Sequence, residues 1–285
     1  GTVAVGYQSL TANTTGDYNT AIGYSSMQNT TTGRANFAGG WTTLENNTTG
    51  SYNVAIGSSA LYANTTGSNI VAIGNGAMIS NTTGEDSVAV GSNALYNNTT
   101  GNRNTALGTS ALNSNTTGGY NTASGYQALS SNTEGYFNTA SGYEAMLSNT
   151  TGSRNTASGY RALRYNTTGG YNSASGGYAL NSNTVGSYNT ASGYGAIYSN
   201  TSGDNNTAIG NIEFDLIGSA VGAVVSGLPN GVDLNIIGLT AVISGPPATA
   251  VLSPTTYSFT ITATTGSGCE VNSYSGEITV LPDDG

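Results

Sequence analysis

Lysine and histidine are absent from this 285-residue chain, and cysteine occurs once, at Cys269. Without histidine the commonest general acid–base group is missing, and a single cysteine excludes a disulfide within the chain. Only 7% of residues are charged, against about 25% in an ordinary globular domain. Asn, Thr, Ser and Tyr must therefore carry solubility. The basic residues are the isolated arginines Arg34, Arg103, Arg154, Arg161 and Arg164, and the net charge is −9. Nucleic acid is excluded as a partner, because phosphate binding needs clustered Lys and Arg. No run of about 18 apolar residues offers membrane insertion, and no signal peptide is evident. No catalytic, cofactor-binding or metal-ligating set emerges. Glu85–Asp86 and Asp283–Asp284 read as solvated pairs, the latter as an acidic tail more than a calcium site. The chain begins at Gly1, not Met, so it is expected to be an excised piece of a longer protein.

What is present is repetition. Glycine recurs every 17 residues from Gly6, Gly23 and Gly40 to Gly193 and Gly210, without insertion or deletion. A second glycine series keeps the same period, from Gly16 to Gly203. A typical unit, beginning at Asn121, reads N-T-A-S-G-Y-Q-A-L-S-S-N-T-x-G-x-x. Seventeen residues are too few for a two-helix repeat, and Gly, Asn, Thr and Ser are poor helix formers. The period therefore predicts one coil of a parallel β-solenoid per unit, stacked about 4.8 Å apart. Two strands and two turns are expected per coil: one strand in N-T-A-x-G (Asn19 to Gly23), a second around the A-L pair (Ala60 to Tyr62), and N-T-T-G as the return turn, with Asn and Gly supplying left-handed backbone.

The faces follow from strand alternation. Alanine lies two residues before each series glycine (Ala4, Ala21, Ala38 and onward to Ala208), on the narrow inner side. Leu, Met or Ile lies four residues after it (Leu10, Met27, Leu44 and onward to Ile197), as the main apolar ladder. The residue just before the glycine drifts from aliphatic (Val5, Ile22, Ile56, Ile73, Val90, Leu107) to serine (Ser124, Ser141, Ser158, Ser175, Ser192). Its companion drifts from Val54, Val71 and Val88 to Thr122, Thr139 and Thr156. One Leu and two small residues make a thin core: at about 25 cal/mol per Å² it gains a few kcal/mol per coil, against roughly 1–2 kcal/mol of backbone entropy per ordered residue. Stacked Asn98, Asn115, Asn132 and Asn149 help. Association of identical chains along the drifting face is expected to supply the remaining burial. Thirteen coils would span roughly 60 Å.

The A-I-G and N-T-A-I-G-Y strings with N-T-T-G turns resemble the head repeats of YadA-like trimeric autotransporter adhesins. They are similar also to repeats of phage tail-fibre proteins that carry a C-terminal self-cleaving chaperone domain. The resemblance covers residues 1–210 and implies a left-handed parallel β-roll, a homotrimer and a role in attachment. The unit here is longer than the shortest head repeats, and no coiled-coil stalk, membrane anchor or chaperone domain accompanies it.

Residues 211–285 carry −7 of the net charge, residues 1–210 only −2, and all five prolines fall in this second part. Tyr257, Phe259 and Ile261 alternate with Ser and Thr, as in a half-buried antiparallel strand, and Ile278 and Val280 do the same. G-L-P-N-G-V (Gly227 to Val232), V-I-S-G-P-P (Val242 to Pro247), Y-S-F-T-I-T, a G-C at Cys269 and G-E-I-T-V resemble the immunoglobulin-like modules of Bacteroidetes-type surface proteins. That likeness implies a β-sandwich of about seven short strands, with Cys269 as a buried small residue.

One surface feature stands out. Tyr7, Tyr24, Trp41, Tyr126, Tyr143, Tyr160 and Tyr194 share the coil position just after the glycine. Stacked coils would align Tyr126, Tyr143, Tyr160 and Tyr194 as a stripe. It reads either as a glycan-stacking surface or as rings that shield a thin β-roll or pack between subunits. N-x-T sequons at the return turn, such as Asn64 and Asn115, read as turn residues or as glycosylation sites. The leading expectation is an extracellular structural and adhesive fibre segment, on a cell-surface appendage or virion, with itself and a surface glycan or host receptor as partners. The alternatives are a phage tail fibre for glycan recognition and an ice-binding solenoid built on Thr105, Thr122, Thr139 and Thr156. A tailspike-like glycan hydrolase is disfavoured by the lack of paired carboxylates.

Overall fold

A computed structural model of the chain describes residues 1–209 and, beyond them, the backbone of six strands between residues 212 and 280. Among the described residues there is no helix. Three-residue strands recur at 17-residue intervals, from β1 (Val3–Val5) and β2 (Thr20–Ile22) to β13 (Thr207–Ile209), and pair in chain order as one 13-stranded sheet. Every pairing is parallel and offset by one repeat: Ala4 opposite Ala21, Ala55 opposite Ala72, Ala157 opposite Ala174. The expected parallel β-solenoid is what the chain forms.

The second strand expected in each coil is absent: Ala60–Tyr62 and its counterparts are turns. Ser59 (φ 56°) and Leu61 (φ 54°) are left-handed, and the residue between them is not. The N–H of Ser59 donates to Trp41 O in the preceding coil (2.9 Å), and that of Leu61 to Ala77 O in the following one (3.0 Å). Ala60 and Tyr62 close tight turns within their own coil. Alternating handedness thus gives this side a cross-coil hydrogen-bond ladder without extended backbone. Left-handed backbone disfavours a Leu by roughly 1–2 kcal/mol. It recurs here because it buries the Leu side chain and satisfies its N–H in one move.

The return turn also differs from expectation. Neither Asn115 nor Gly118 is left-handed; Tyr120 is (φ 59°). Gly118 is required by space, since a Cβ there would lie 2.5 Å from Asn115 Oδ1 and 2.6 Å from Gly135 O of the next coil. The first-series Gly108 is constrained twice, by its φ of 135° and by a Cβ position 2.5 Å from Gly125 O. A carbonyl of the neighbouring coil crowds both glycine series, in addition to a local constraint at each: Asn115 Oδ1 for Gly118 and the backbone angle for Gly108.

The core is narrow and half amide. From the second coil to the twelfth the mid-strand Ala is enclosed, and from the fourth coil on the Ala of the A-L pair joins it, as with Ala123, Ala128 and Leu129; Ser26 and Thr43 hold the latter place in the second and third coils, and Met27, Met78 and Met146 replace Leu without leaving the column. Beside them stands the expected Asn column: Asn115 Nδ2 donates to Asn98 Oδ1 (2.7 Å) and to Gly118 O (2.9 Å), and Asn132 Nδ2 to Asn115 Oδ1 (2.8 Å). A second column, which the sequence reading places merely at the strand start, is equally buried. There the N–H of Asn121 donates to Asn104 Oδ1 (3.0 Å) and Asn121 Nδ2 to Gly135 O (2.8 Å).

Beyond the solenoid, Ile212–Asp215, Thr240–Ser244 and Asp233–Ile237 pair antiparallel in that order. Ala220–Ser226, Thr255–Thr265 and Ser273–Val280 do the same in a second sheet. The alternating run from Tyr257 to Ile261 lies in a strand, and its partner strand holds Ile278. Gly210, Cys269, Asp283, Asp284 and the five prolines lie outside the described residues.

Candidate binding surfaces

Strand alternation turns the residues flanking each buried Ala outward, onto one face of the parallel sheet. In the first seven coils that face is mainly apolar, exposed at Val3, Val5, Ile22, Phe37, Ile56, Val90 and Leu107 and half-buried at Val71 and Ile73, with Thr20 and Thr105 interspersed. From β8 (Thr122–Ser124) to β12 (Thr190–Ser192) it presents hydroxyl pairs instead, with Thr139 and Ser141, and Thr156 and Ser158, all exposed. One surface thus has an apolar half and a hydroxylated half. The registers align like with like: Val54 with Val71, Ile56 with Ile73, Thr122 with Thr139, Ser124 with Ser141.

The aromatic stripe forms in two runs. Tyr126, Tyr143 and Tyr160 stack at 5.2 and 5.4 Å between ring centroids, inclined by 17° and 13°. The next position is Gly177, and Tyr178, one residue on, takes its place. It meets Tyr160 (5.2 Å, 68°) and Tyr194 (5.7 Å, 75°) edge-on. Tyr194 therefore joins the run through a ring the stripe position does not supply. The upstream run is Tyr7, Tyr24 and Trp41, at 5.3 and 6.5 Å. Neighbouring rings cover both faces of Tyr143, so its edge and hydroxyl meet solvent; only rings at the ends of a run retain a free face. Desolvation by these rings, with Glu144 adjacent, raises the Tyr143 phenol above its ordinary pKa; desolvation and the Tyr178 hydroxyl do the same for Tyr160.

A second column runs along another edge, at the left-handed position after N-T-T-G. The Asp86 carboxylate sits 3.6 Å from Arg103 Nε. The Arg103 guanidinium lies 5.2 Å from the Tyr120 ring centre, and Tyr120 stacks on Phe137 at 4.9 Å. Arg154 then lies between Phe137 (5.6 Å) and Tyr171 (5.2 Å), and Tyr171 stacks on Tyr188 at 4.8 Å. Charged groups and rings thus form one continuous column through seven consecutive coils, linked by an ion pair, three cation–π contacts and two ring stacks. The residue types vary while the backbone does not, so residue identity alone gives no repeat signal here. The arginines, isolated in sequence, also converge elsewhere. Arg161 Nε (2.9 Å) and Arg164 Nε (2.8 Å) flank Glu144 Oε2, whose side chain is 9% exposed.

Two shallow pockets beside the upstream stripe meet at Ser59 and Ile79 and together form a groove. The first runs from Gln8 in the first coil past Tyr24, Trp41, Glu45 and Tyr62, and the second passes Tyr96 to Asn113 in the seventh. The same coil positions in the ninth and tenth coils hold Glu144, Arg161 and Arg164, which bridge them. Partial burial raises the pKa of Glu45. The sequon residues Asn64 and Asn115 are enclosed, with their Nδ2 hydrogens committed to Asn and Gly oxygens. The folded coil thus withholds both from glycosylation. Among the described residues no three of His, Cys, Asp or Glu gather as a metal site. No family model matches the sequence, and no curated protein or solved structure matches it either.

Proposed function

We propose that this chain is a segment of an extracellular structural and adhesive fibre, borne on a cell surface or a virion. In this reading the solenoid is a stiff spacer, three copies associate along the outward sheet face, and residues 211–285 form an immunoglobulin-like module that connects or tips it. No catalytic role is assigned. The observation that carries the reading is the row of exposed Val, Ile, Phe and Leu side chains on the first seven strands, aligned rung on rung. Contiguous apolar surface of this kind marks an interaction site. An identical chain offers a complementary periodicity, and the likeness of the repeats to trimeric adhesin heads and tail fibres points the same way. Sedimentation equilibrium should give three times the chain mass of 28.5 kDa. Replacing Ile22 and Ile56 by Asp should return it to one. A folded monomer of the parent chain at micromolar concentration would refute the association.

The paired hydroxyls of Thr139 and Ser141, and Thr156 and Ser158, favour one other reading. A flat, regular hydroxyl array can order water, so this half of the face would suit an ice-binding solenoid. Thermal hysteresis separates the two: the fibre reading expects none, and the ice-binding reading expects hysteresis that disappears when Thr139 and Thr156 become Tyr.

A further inference from the structure

We infer that the groove over the first seven coils is a binding site for an uncharged oligosaccharide, with the exposed face of Trp41 as its stacking platform. Trp41 ends the upstream run. Tyr24 covers one side of it at 6.5 Å, while the next coil places Ser58 at the same position, so no ring covers the other side. The indole is 58% exposed. It therefore offers what the interior rings of the downstream stripe lack, a free aromatic face on which a pyranose can lie. Around it converge side chains that exchange hydrogen bonds with hydroxyls: Gln28, Glu45, Ser59 and the Tyr62 phenol. Thr42 and Ser59 are already linked (3.0 Å), a short polar track along the groove floor.

Charge selects the ligand class. No arginine lines the groove, and Glu45 has no basic partner among the described residues. A uronate or sulfated glycan would place its anion beside an uncompensated carboxylate; a neutral hydroxyl would donate to it. A peptide is less well served. The coil backbone spends its N–H and C=O groups on neighbouring coils, and Ile79 is the one aliphatic side chain in the lining. The groove crosses six coil intervals, about 29 Å, which suits a chain of several sugars more than a monosaccharide.

This inference gives the attachment reading a ligand class, and the two fail separately: solution mass tests association, and sugar binding tests the groove. Trp41 is the only tryptophan, so its fluorescence reports the site directly. The full chain is titrated with cellohexaose, chitohexaose, maltohexaose and mannohexaose, with polygalacturonate and gelatin as the acidic and polypeptide probes. At least one neutral hexamer should give a saturable change in Trp41 emission and a matching calorimetric heat. Trp41→Ser, which installs the residue found naturally at this position in the next coil, should keep the parent circular dichroism. Both it and Glu45→Ala should weaken calorimetric binding by about tenfold or more, while Tyr143→Ala leaves it unchanged. The inference is overturned if no neutral hexamer registers, if polygalacturonate or gelatin binds in preference, or if Trp41→Ser binds as the parent does.

Discussion

The buried Asn columns make the most direct test of what holds the coils together. Take Asn115→Ala. The side chain is fully enclosed and joins three hydrogen bonds, to Asn98 Oδ1, to Gly118 O and from Asn132 Nδ2. Truncation leaves one acceptor, Asn98 Oδ1, and one donor hydrogen, on Asn132 Nδ2, dry at about 1–3 kcal/mol each, while Gly118 O keeps its bond from Asn104 Nδ2 (2.8 Å). The expected loss is about 2–5 kcal/mol. The second coil contains a natural control: Thr30 occupies the same rung, fully buried, and accepts from Asn47 Nδ2 at 3.4 Å. Asn115→Thr should accordingly cost less, about 1–2 kcal/mol, because the Asn132 Nδ2 donor keeps an acceptor. Thr117→Ala, on the exposed side of the same turn, should stay within about 0.5 kcal/mol. Guanidinium unfolding followed by circular dichroism measures all three. Native-state hydrogen exchange shows whether the damage spreads along the stack, as nearest-neighbour coupling in a solenoid requires. If Asn115→Ala loses less than about 1 kcal/mol, the amide column is filler and the reasoning fails.

Gly108→Ala should destabilise by at least about 1–3 kcal/mol from its backbone conformation alone, with the clash against Gly125 O adding to it; Gly39→Ala, where φ is not positive and the nearest atom to an added Cβ is Phe37 Cε1 at 3.5 Å, is the control in thermal melts. Glu144→Gln strands Arg161 and Arg164 around a neutral amide and should cost about 1–3 kcal/mol, less than a fully buried pair because both arginines are partly solvated; the difference from the parent should shrink in molar salt. Folding raises the Tyr143 and Tyr160 pKa values, so between the unfolded value of about 10 and the higher folded values the native state holds the extra protons. Stability is therefore unaffected by these groups below that range and declines as pH climbs through it. Tyrosinate absorbance of the parent minus that of a Tyr143→Phe/Tyr160→Phe variant should show these ionisations lagging free tyrosine, and an on-time titration would contradict the stacking.

Much of the solenoid is legible in the residue string because its constraints repeat in residue type. Only Gly fits at Gly6 or Gly118, only a small side chain at Ala123, and only a long aliphatic one at Leu129, so the period declares itself. What is misread follows from conformation. Ala60 to Tyr62 has the apolar alternation of a strand, yet Leu61 is left-handed, a state its residue type disfavours and its position in the stack imposes. The N-T-T-G turn is misread for a related reason: its glycine answers to the Asn side chain of its own turn and to a carbonyl 17 residues away, not to its own dihedral angles. Among the candidate surfaces, the Tyr126–Tyr143–Tyr160 run is visible as a repeated letter. The Asp86–Arg103–Tyr120–Phe137–Arg154–Tyr171–Tyr188 column is not, because only its direction in space recurs. Trp41 is visible as a member of the stripe; its free face becomes apparent only once Ser58 is seen above it.

The unvarying register has a consequence for how such a molecule can change over generations. Loss or duplication of one whole 17-residue block leaves every remaining rung with an equivalent neighbour, so reach can be lengthened or shortened in steps of about 4.8 Å by recombination between near-identical gene segments. A single-residue slip has no such tolerance, since from that point on each glycine would face a side chain where its partner's carbonyl should be. Unit count is thus the adjustable quantity in this architecture, and unit length the forbidden one.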